Sequence, residues 1–227
     1  MKILVTSDLH GFLPCIEQSA DLLLICGDIV PLSVQSNGHK SKVWFRDVFR
    51  KWAEELPVDK VIFIAGNHDW FPYWDEGIGL KKLFPHDSKV TYIQDELYDY
   101  KGIKIYGTPW CKQFYNWAFN LNEEGLKEKY SQIPEGVDIL ITHDAPNQNE
   151  VGMIHDGIYR GEDASNYVLT DIIKQKAPKY CFCGHIHSGN HLSKEIDGIT
   201  FANCSYVNEQ YVPVNDLHTL YIDDKDA

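Results

Sequence analysis

The sequence contains no long apolar run, no cluster of basic residues and no stretch with the composition of a flexible linker. Because a membrane-spanning helix needs about 20 consecutive apolar residues, the first absence predicts that no segment crosses a membrane. The N-terminal apolar run also reaches Asp8 too soon for the core of a signal peptide. The absence of a linker predicts that residues 1–227 form one domain.

Positive charge is scarce, since the chain has 21 Lys and Arg residues against 33 Asp and Glu residues, and its formal net charge is -12. Extended nucleic-acid binding is therefore not expected, because neutralising phosphates requires clustered cations. Bound divalent cations would offset part of the negative charge. Hydrophobic residues make up 44% of the chain and aromatic residues 13%, which is enough to bury a sizeable core.

The six cysteines come without a secretion signal. They are Cys15, Cys26, Cys111, Cys181, Cys183 and Cys204. We expect reduced thiols rather than a disulfide framework, and therefore a cytoplasmic protein.

Short apolar runs alternate with helical patterns along the chain. The predicted strands are Ile3–Thr6, Leu22–Cys26, Val61–Ala65, Ile103–Gly107, Asp138–Thr142, Tyr180–Cys183, Ile199–Ala202 and His218–Ile222. Helices are predicted at Ser41–Leu56, Leu80–Phe84 and Ala164–Lys174, and the tail Asp223–Ala227 is predicted to fray. This alternation is typical of an α/β fold.

Five polar clusters each follow a predicted strand, and the last of them, CFCGHIHSGNH at Cys181–His191, is the most informative. The earlier four are SDLHG (Ser7–Gly11), CGDIV (Cys26–Val30), GNHDW (Gly66–Trp70) and THDAP (Thr142–Pro146). Taken alone, Asp8 is as well explained as a helix N-cap, and Gly27 with Asp28 as an ordinary turn. Because ligands bind at strand C-ends in open α/β sheets, the five together predict one shared site.

The clusters offer seven metal donors, too many for one ion and suited to two. They are Asp8, His10, Asp28, Asn67, His143, His185 and His187. Imidazole and carboxylate without thiolate favour two divalent transition-metal ions, with Mn²⁺ expected first and Fe, Zn or Ni as alternatives. Such a pair, about 3.5–4 Å apart, binds a phosphoryl oxygen and activates a bridging water. The donor set predicts hydrolysis of a phosphoester by a metal-bridging hydroxide.

A structural zinc site is the alternative interpretation of Cys181, Cys183, His185 and His187, which have the pattern C-x-C-x-H-x-H. On an extended strand these side chains would spread along roughly 20 Å, at about 3.3 Å per residue, so one ion cannot reach all four. Cys181 and Cys183 are better explained as small buried hydrophobic residues.

The order DLH, GD, GNHD, THD and GHIH resembles the calcineurin-like metallophosphoesterase family and spans Asp8 to His187. The stretch Asn203–Asn215 and the long loop Asn147–Asp163 are similar to its small single-domain branch, which includes metal-dependent cyclic-nucleotide and nucleotide phosphodiesterases. The resemblance implies a four-layer α/β/β/α sandwich, with two mixed sheets flanked by helices.

The resemblance also implies a role for each matched residue. Asp8, His10, Asp28 and His187 would hold the first metal, and Asp28, Asn67, His143 and His185 the second, with Asp28 bridging. His68 matches the family's histidine near the leaving-group oxygen, and Asp69 the acid that orients it.

The sequence thus predicts a phosphoesterase acting on a small molecule, a phosphodiesterase more than a monoesterase. A nuclease of the same chemistry is disfavoured by the acidic balance. A third alternative is a catalytically slow metal-binding scaffold for protein interactions. Substrate contacts are expected in Trp70–Trp74, Trp110–Tyr115 and Asn147–Arg160, although core packing explains the aromatic residues of Thr108–Phe119 equally well. The substrate, the native metal and the oligomeric state stay open.

Overall fold

The computed structural model describes residues 1–222, so the tail Asp223–Ala227 lies outside the described residues. The strands are β1 (Lys2–Thr6), β2 (Ala20–Cys26), β3 (Val58–Ile64), β4 (Val90–Tyr92), β5 (Glu96–Tyr100), β6 (Ile103–Thr108), β7 (Cys111–Lys112), β8 (Asn120–Leu121), β9 (Ile139–Thr142), β10 (Tyr180–Cys183), β11 (Lys194–Ile196), β12 (Ile199–Asn203) and β13 (His218–Tyr221). The α-helices are α1 (Gly38–Trp44), α2 (Arg50–Glu55), α3 (Trp70–Trp74), α4 (Ile78–Leu83), α5 (Glu123–Ser131) and α6 (Tyr167–Lys176).

Two large mixed sheets carry the fold. The first has the strand order β13-β1-β2-β3-β4, in which β1 to β4 are parallel and β13 is antiparallel to β1. The second has the order β11-β12-β10-β9-β6-β5, with parallel central strands and an antiparallel strand at each edge. Strands β7 and β8 form a separate parallel pair.

Alternate residues of each strand face different apolar layers. Leu23, Ile25, Val61 and Phe63 pack with the helical residues Phe45, Phe49 and Leu80. Leu22, Leu24, Ile62 and Ile64 pack between the sheets against Ile105, Ile139 and Ile141. Leu140, Cys181 and Phe201 pack with Leu126 of α5 and Ile173 of α6. This order of layers confirms the predicted α/β/β/α sandwich.

The helix predicted at Ser41–Leu56 consists of three consecutive segments. A π-helical turn, Phe45–Phe49, lies between α1 and α2 and places both of its phenylalanines in the core. Helix α5 was not predicted, because in the sequence EEGLKEKYS only Leu126 and Tyr130 are buried and the apolar face is narrow.

The strand C-ends meet at one edge of the sandwich. Within the first sheet, Asp8 N donates to Gly27 O at 2.9 Å and His10 N to Asp28 O at 2.9 Å, which joins the loops after β1 and β2. In the second sheet, Gly184 N donates to His143 O at 3.1 Å. His185 N donates to Asp8 Oδ2 at 3.1 Å and so connects the two sheets. The predicted polar clusters therefore share one location.

Candidate metal centre

The structure brings the seven predicted donors into one group, in which six are buried and His185 is partly exposed. Ligand atoms of Asp8, Asp28 and His143 lie within 4.8 Å of one another, as do those of Asp8, His10 and His187. Asn67 Oδ1 lies 2.9 Å from His143 Nε2. His185 belongs to a third group, in which its ring nitrogen lies within 4.8 Å of a nitrogen of His143.

Four of these donors have a left-handed backbone. The φ angles are 53° at Asp8, 42° at His10, 52° at Asp28 and 68° at His185. Non-glycine residues adopt this conformation at a cost of order 1–3 kcal/mol each, and such residues cluster at functional sites. The hydrogen bonds between the loops hold them in place.

Two motif glycines allow the loops to approach the carboxylates. A Cβ atom on Gly66 would overlap Asp28 Oδ1, and one on Gly184 would overlap Asp8 Oδ2 and Ser7 Oγ. Any larger residue at either position would move a carboxylate out of the group. The glycines of GNHD and GHIH are therefore needed for close approach.

Around Asp8, His10 and His187, which form the first half of the centre, the lone pairs of acceptor atoms face one another. His187 Nδ1 donates to Asn208 O at 3.1 Å, which leaves a lone pair on Nε2 of the neutral ring. That Nε2 lies 3.2 Å from His10 Nε2 and 3.3 Å from Asp8 Oδ1. A proton or a cation between these atoms would be favourable, because each of them can offer a lone pair.

The second half of the centre, around Asn67 and His143, also has acceptor atoms that face one another. His143 Nδ1 donates to Cys26 O at 2.8 Å, so Nε2 is the nitrogen that faces Asn67 Oδ1, and it offers a lone pair when the ring is neutral. Asp28 Oδ2 lies 3.4 Å from His143 Nε2 and 3.7 Å from His10 Nε2. Asp28 therefore stands between the two halves.

The charges of this group suit a cation. Burial would raise the pKa of Asp28, but His143, His68 and His10 hold it well below its usual range. Burial lowers the pKa of His10 to about 3 in spite of Asp28. Burial would also lower the pKa of His143, but Asp28 and Asp8 outweigh it and raise the pKa to about 10. The group thus retains a proton that a divalent ion can replace, and its nitrogen and oxygen donors fit a transition metal.

His68 lies at the rim of the group, with partners that differ from the expected ones. Its Nε2 is 3.9 Å from Asp28 Oδ2, its Nδ1 forms a hydrogen bond with Gln35 Oε1, and its ring lies on Trp117 with centroids 4.4 Å apart. The sequence predicts Asp69 as the residue that orients His68, whereas the structure gives this contact to Gln35.

Asp69 instead holds the loop backbone. Its carboxylate accepts hydrogen bonds from Ile29 N at 3.1 Å, Val30 N at 3.1 Å and Gly66 N at 2.9 Å. Buried backbone N–H groups need such partners, which explains why the side chain turns away from His68. Burial and the neighbouring Asp28 raise the pKa of Asp69 to about 7, although the three N–H groups oppose that shift.

Besides Gln35, two residues lie at the centre without being predicted members of it, Tyr211 and Cys111. The Tyr211 ring lies 4.8 Å from the His10 ring and 5.1 Å from the His187 ring, between centroids. The Cys111 Sγ atom lies within 4.8 Å of ring nitrogens of His143 and His185. Tyr211 falls in Asn203–Asn215, which carries part of the resemblance, and Cys111 falls in Trp110–Tyr115, where substrate contacts are expected. Neither residue is predicted as a ligand.

The expected substrate segments divide into core and surface residues. Trp110 donates its indole N–H to Asp95 Oδ2 at 2.8 Å and packs on the core, whereas Phe114 and Tyr115 are 50% and 75% exposed. Residues Trp70–Trp74 form α3. In the long loop Asn147–Asp163, His155 N donates at 3.0 Å to the Oγ atom of Ser188, the residue directly after His187.

A family model described as calcineurin-like phosphoesterase matches residues 1–189. The chain belongs to the calcineurin-like phosphoesterase family. The resemblance predicted from the five motifs is confirmed. The human protein named metallophosphoesterase domain-containing protein 1 is 31% identical over 251 aligned positions, which cover 94% of this chain and 68% of the human protein. Members are hydrolases of phosphate esters that depend on divalent metal ions.

Solved structures share the calcineurin-like fold at low sequence identity. A protein from Thermus thermophilus is 14% identical with a TM-score of 0.61, and the match covers 89% of this chain and 88% of that one. Phosphopantetheinyl hydrolase from Mycobacterium tuberculosis is 14% identical with a TM-score of 0.58, covering 100% and 98%. At this identity the likeness shows the fold alone. Among the helices of residues 1–222, none is both long and apolar enough to cross a membrane.

Proposed function

We propose that this chain is a dinuclear-metal-dependent phosphoesterase that hydrolyses a small-molecule phosphoester, a diester in preference to a monoester. The observation that carries the proposal is the position of Asp28. Its Oδ2 lies 3.7 Å from His10 Nε2 on one side and 3.4 Å from His143 Nε2 on the other. A carboxylate so placed suits a bridge between two cations.

The first ion would be held by Asp8, His10, Asp28 and His187, and the second by Asp28, Asn67, His143 and His185. Bound ions supply Lewis-acid stabilisation of phosphoryl charge and activate a water nucleophile. Oxygen and imidazole donors at the first position suit Mn²⁺.

His68 is proposed to assist departure of the alkoxide. Gln35 Oε1 accepts from His68 Nδ1, which leaves Nε2 as the atom that can carry a proton toward the leaving oxygen. The Trp117 ring, tilted by 30° with its centroid 4.4 Å from that of His68, limits rotation of the imidazole. Asp69 contributes indirectly, because it fixes the loops that carry Asp28 and Asn67.

Several properties favour this proposal over the alternatives. The net charge of -12 argues against an extended nucleic-acid surface and so against a nuclease. A full set of convergent donors favours an enzyme over a scaffold. The six cysteines are free thiols, which fits a reducing cytoplasm. We also propose that residues 1–227 act as one domain.

The proposal is tested with Asp28→Asn, because loss of the bridging charge should empty or misplace both ions. We expect elemental analysis to find two metals per chain in the wild type and fewer than one in the variant, with hydrolysis of nitrophenyl mono- and diesters reduced by at least about a hundredfold. Asp171→Asn makes the same chemical change at an exposed position of α6 and should alter neither property. Two metals retained in Asp28→Asn would refute the bridging role.

A further inference from the structure

We propose that Cys111 is a thiolate ligand of the second metal ion, beside His143 and His185. The inference rests on the proposed dinuclear site and goes beyond it, since it predicts that the two positions prefer different metals. The donor set predicted from the sequence contains no thiolate. The observation behind the proposal is the group formed by one sulfur and two imidazole nitrogens within 4.8 Å of one another.

Cys111 is fixed next to His143 by the backbone around it. Cys111 N donates to Phe119 O at 2.8 Å, which anchors β7 against the chain before β8. The next residue, Lys112, donates its N–H to Asp144 Oδ2 at 2.6 Å. Because Asp144 directly follows His143, this bond ties β7 to the loop that carries the second metal's histidine.

The thiol is fully buried and has one weak partner. Cys111 has 0% exposure, and its Sγ lies 3.4 Å from Pro109 O. A metal–sulfur bond of about 2.3 Å and a metal–nitrogen bond of about 2.0–2.1 Å that meet at an angle of about 110° would separate sulfur from nitrogen by about 3.6 Å. Because the observed atoms lie within 4.8 Å of one another, a shortening of at most about 1.2 Å brings the group to this spacing. The sulfur can therefore join the imidazoles on one ion.

The other buried cysteines have different surroundings. Cys181 packs with Leu140 and Phe201, and Cys183 packs with Ala145 and Val151. Within residues 1–222, Cys111 is the cysteine that belongs to a group of candidate ligands. Cys183 is equally buried and thus provides a matched control.

Sulfur ligation changes which metal the second position favours. The sulfur–hydrogen bond breaks as the metal–sulfur bond forms, and the proton passes to solvent, since the thiolate is the ligand. Thiolate favours zinc, cobalt or ferrous iron over Mn²⁺. The first position keeps only oxygen and imidazole donors, so a mixed-metal centre is expected.

The test is cobalt substitution of the metal-free full-length protein, followed by near-ultraviolet absorption. We expect a thiolate-to-cobalt charge-transfer band that grows as the second position fills, is lost in Cys111→Ala and persists in Cys183→Ala. Competition titration should show zinc affinity at that position falling by on the order of tenfold or more in Cys111→Ala, with Mn²⁺ affinity nearly unchanged. Cys111→Ser replaces the alanine variant if the latter does not fold.

Two results would overturn the assignment. One is binding of two cobalt ions by the wild type without the band, which would leave the dinuclear site intact and remove only its sulfur. The other is a band that persists in Cys111→Ala. Failure of the wild type to bind cobalt, Mn²⁺ or zinc would remove both the sulfur ligand and the proposed function.

Discussion

His68 shows how a single side chain can be positioned without a charged partner. The amide of Gln35 accepts from its Nδ1, and Trp117 covers one face of its ring. Burial lowers the pKa of His68, although Asp28 opposes that shift. An uncharged amide can orient the imidazole, but it adds little to stabilise the imidazolium.

At the scale of single residues, we predict that His68→Ala keeps both metals and loses activity to an extent that depends on the leaving group. General acid catalysis is worth about a hundredfold to ten-thousandfold, and a nitrophenolate needs no proton to depart. Turnover of an alkyl or ribose phosphoester should therefore fall far more than turnover of a nitrophenyl ester. Gln35→Leu should also lose more turnover of the alkyl or ribose ester than of the nitrophenyl ester, but each loss should be smaller than in His68→Ala.

Steady-state kinetics on both esters, with metal analysis, would check this prediction. Equal losses on the two substrates with metals retained would leave His68 an electrostatic or binding residue. Loss of metal from His68→Ala would make it a ligand.

At the scale of elements, the N-terminus of α6 is connected to the site through one residue. Asn166 Oδ1 accepts from Leu169 N at 3.0 Å as the helix cap, while its Nδ2 donates to Asp144 Oδ2 at 2.8 Å and Tyr130 Oη at 3.2 Å. Asn122 caps α5 by accepting from Gly125 N at 2.9 Å, but it is exposed. The two asparagines have the same capping role in different environments.

We predict that Asn122→Ala lowers the free energy of unfolding by about 1 kcal/mol, the usual value of a cap. Asn166→Ala should cost about 2–4 kcal/mol, because the buried Asp144 carboxylate and Tyr130 hydroxyl also lose a partner. Urea unfolding of metal-loaded protein measures both. Equal costs would show that the side-chain bonds of Asn166 add nothing to its cap.

At the scale of the whole molecule, the buried charges of the centre couple stability to pH. The folded-state pKa of His143 is raised from 6.5 to about 10, so its contribution is complete below pH 6.5 and is lost as pH rises through 10. His187 acts in the same direction, because Asp8 raises its pKa against the effect of burial. Buried thiols, with an ordinary pKa of 9.0, add their own loss only at higher pH.

We predict that metal-free protein loses about 2 kcal/mol of unfolding free energy between about pH 7 and pH 8.5, since one proton corresponds to about 1.4 kcal/mol per pH unit. Metal-loaded protein should lose much less, because an ion replaces that proton. Urea unfolding with a chelator and with Mn²⁺ would compare the two forms. A similar decline in both would show that His143 does not hold the proton.

The sequence by itself determined the local features of this protein. Apolar runs followed by polar clusters located the central strands, and the spacing of the clusters indicated the seven donors that the structure brings together. The short edge strands β4 and β11 were missed, because three residues carry no readable alternation. Helix α5 was missed for its narrow apolar face.

Only the tertiary structure decided which side chains meet around those donors. Gln35 lies 33 residues before His68 in the chain, and Cys111 reaches His143 through a strand pair and the bond from Lys112 to Asp144. The Asp69 carboxylate accepts hydrogen bonds from three backbone N–H groups, and the periodicity of the sequence does not predict these contacts. Strand patterns arise from neighbouring residues, whereas these contacts arise from the packing of loops from two sheets, and no local sequence rule records that packing.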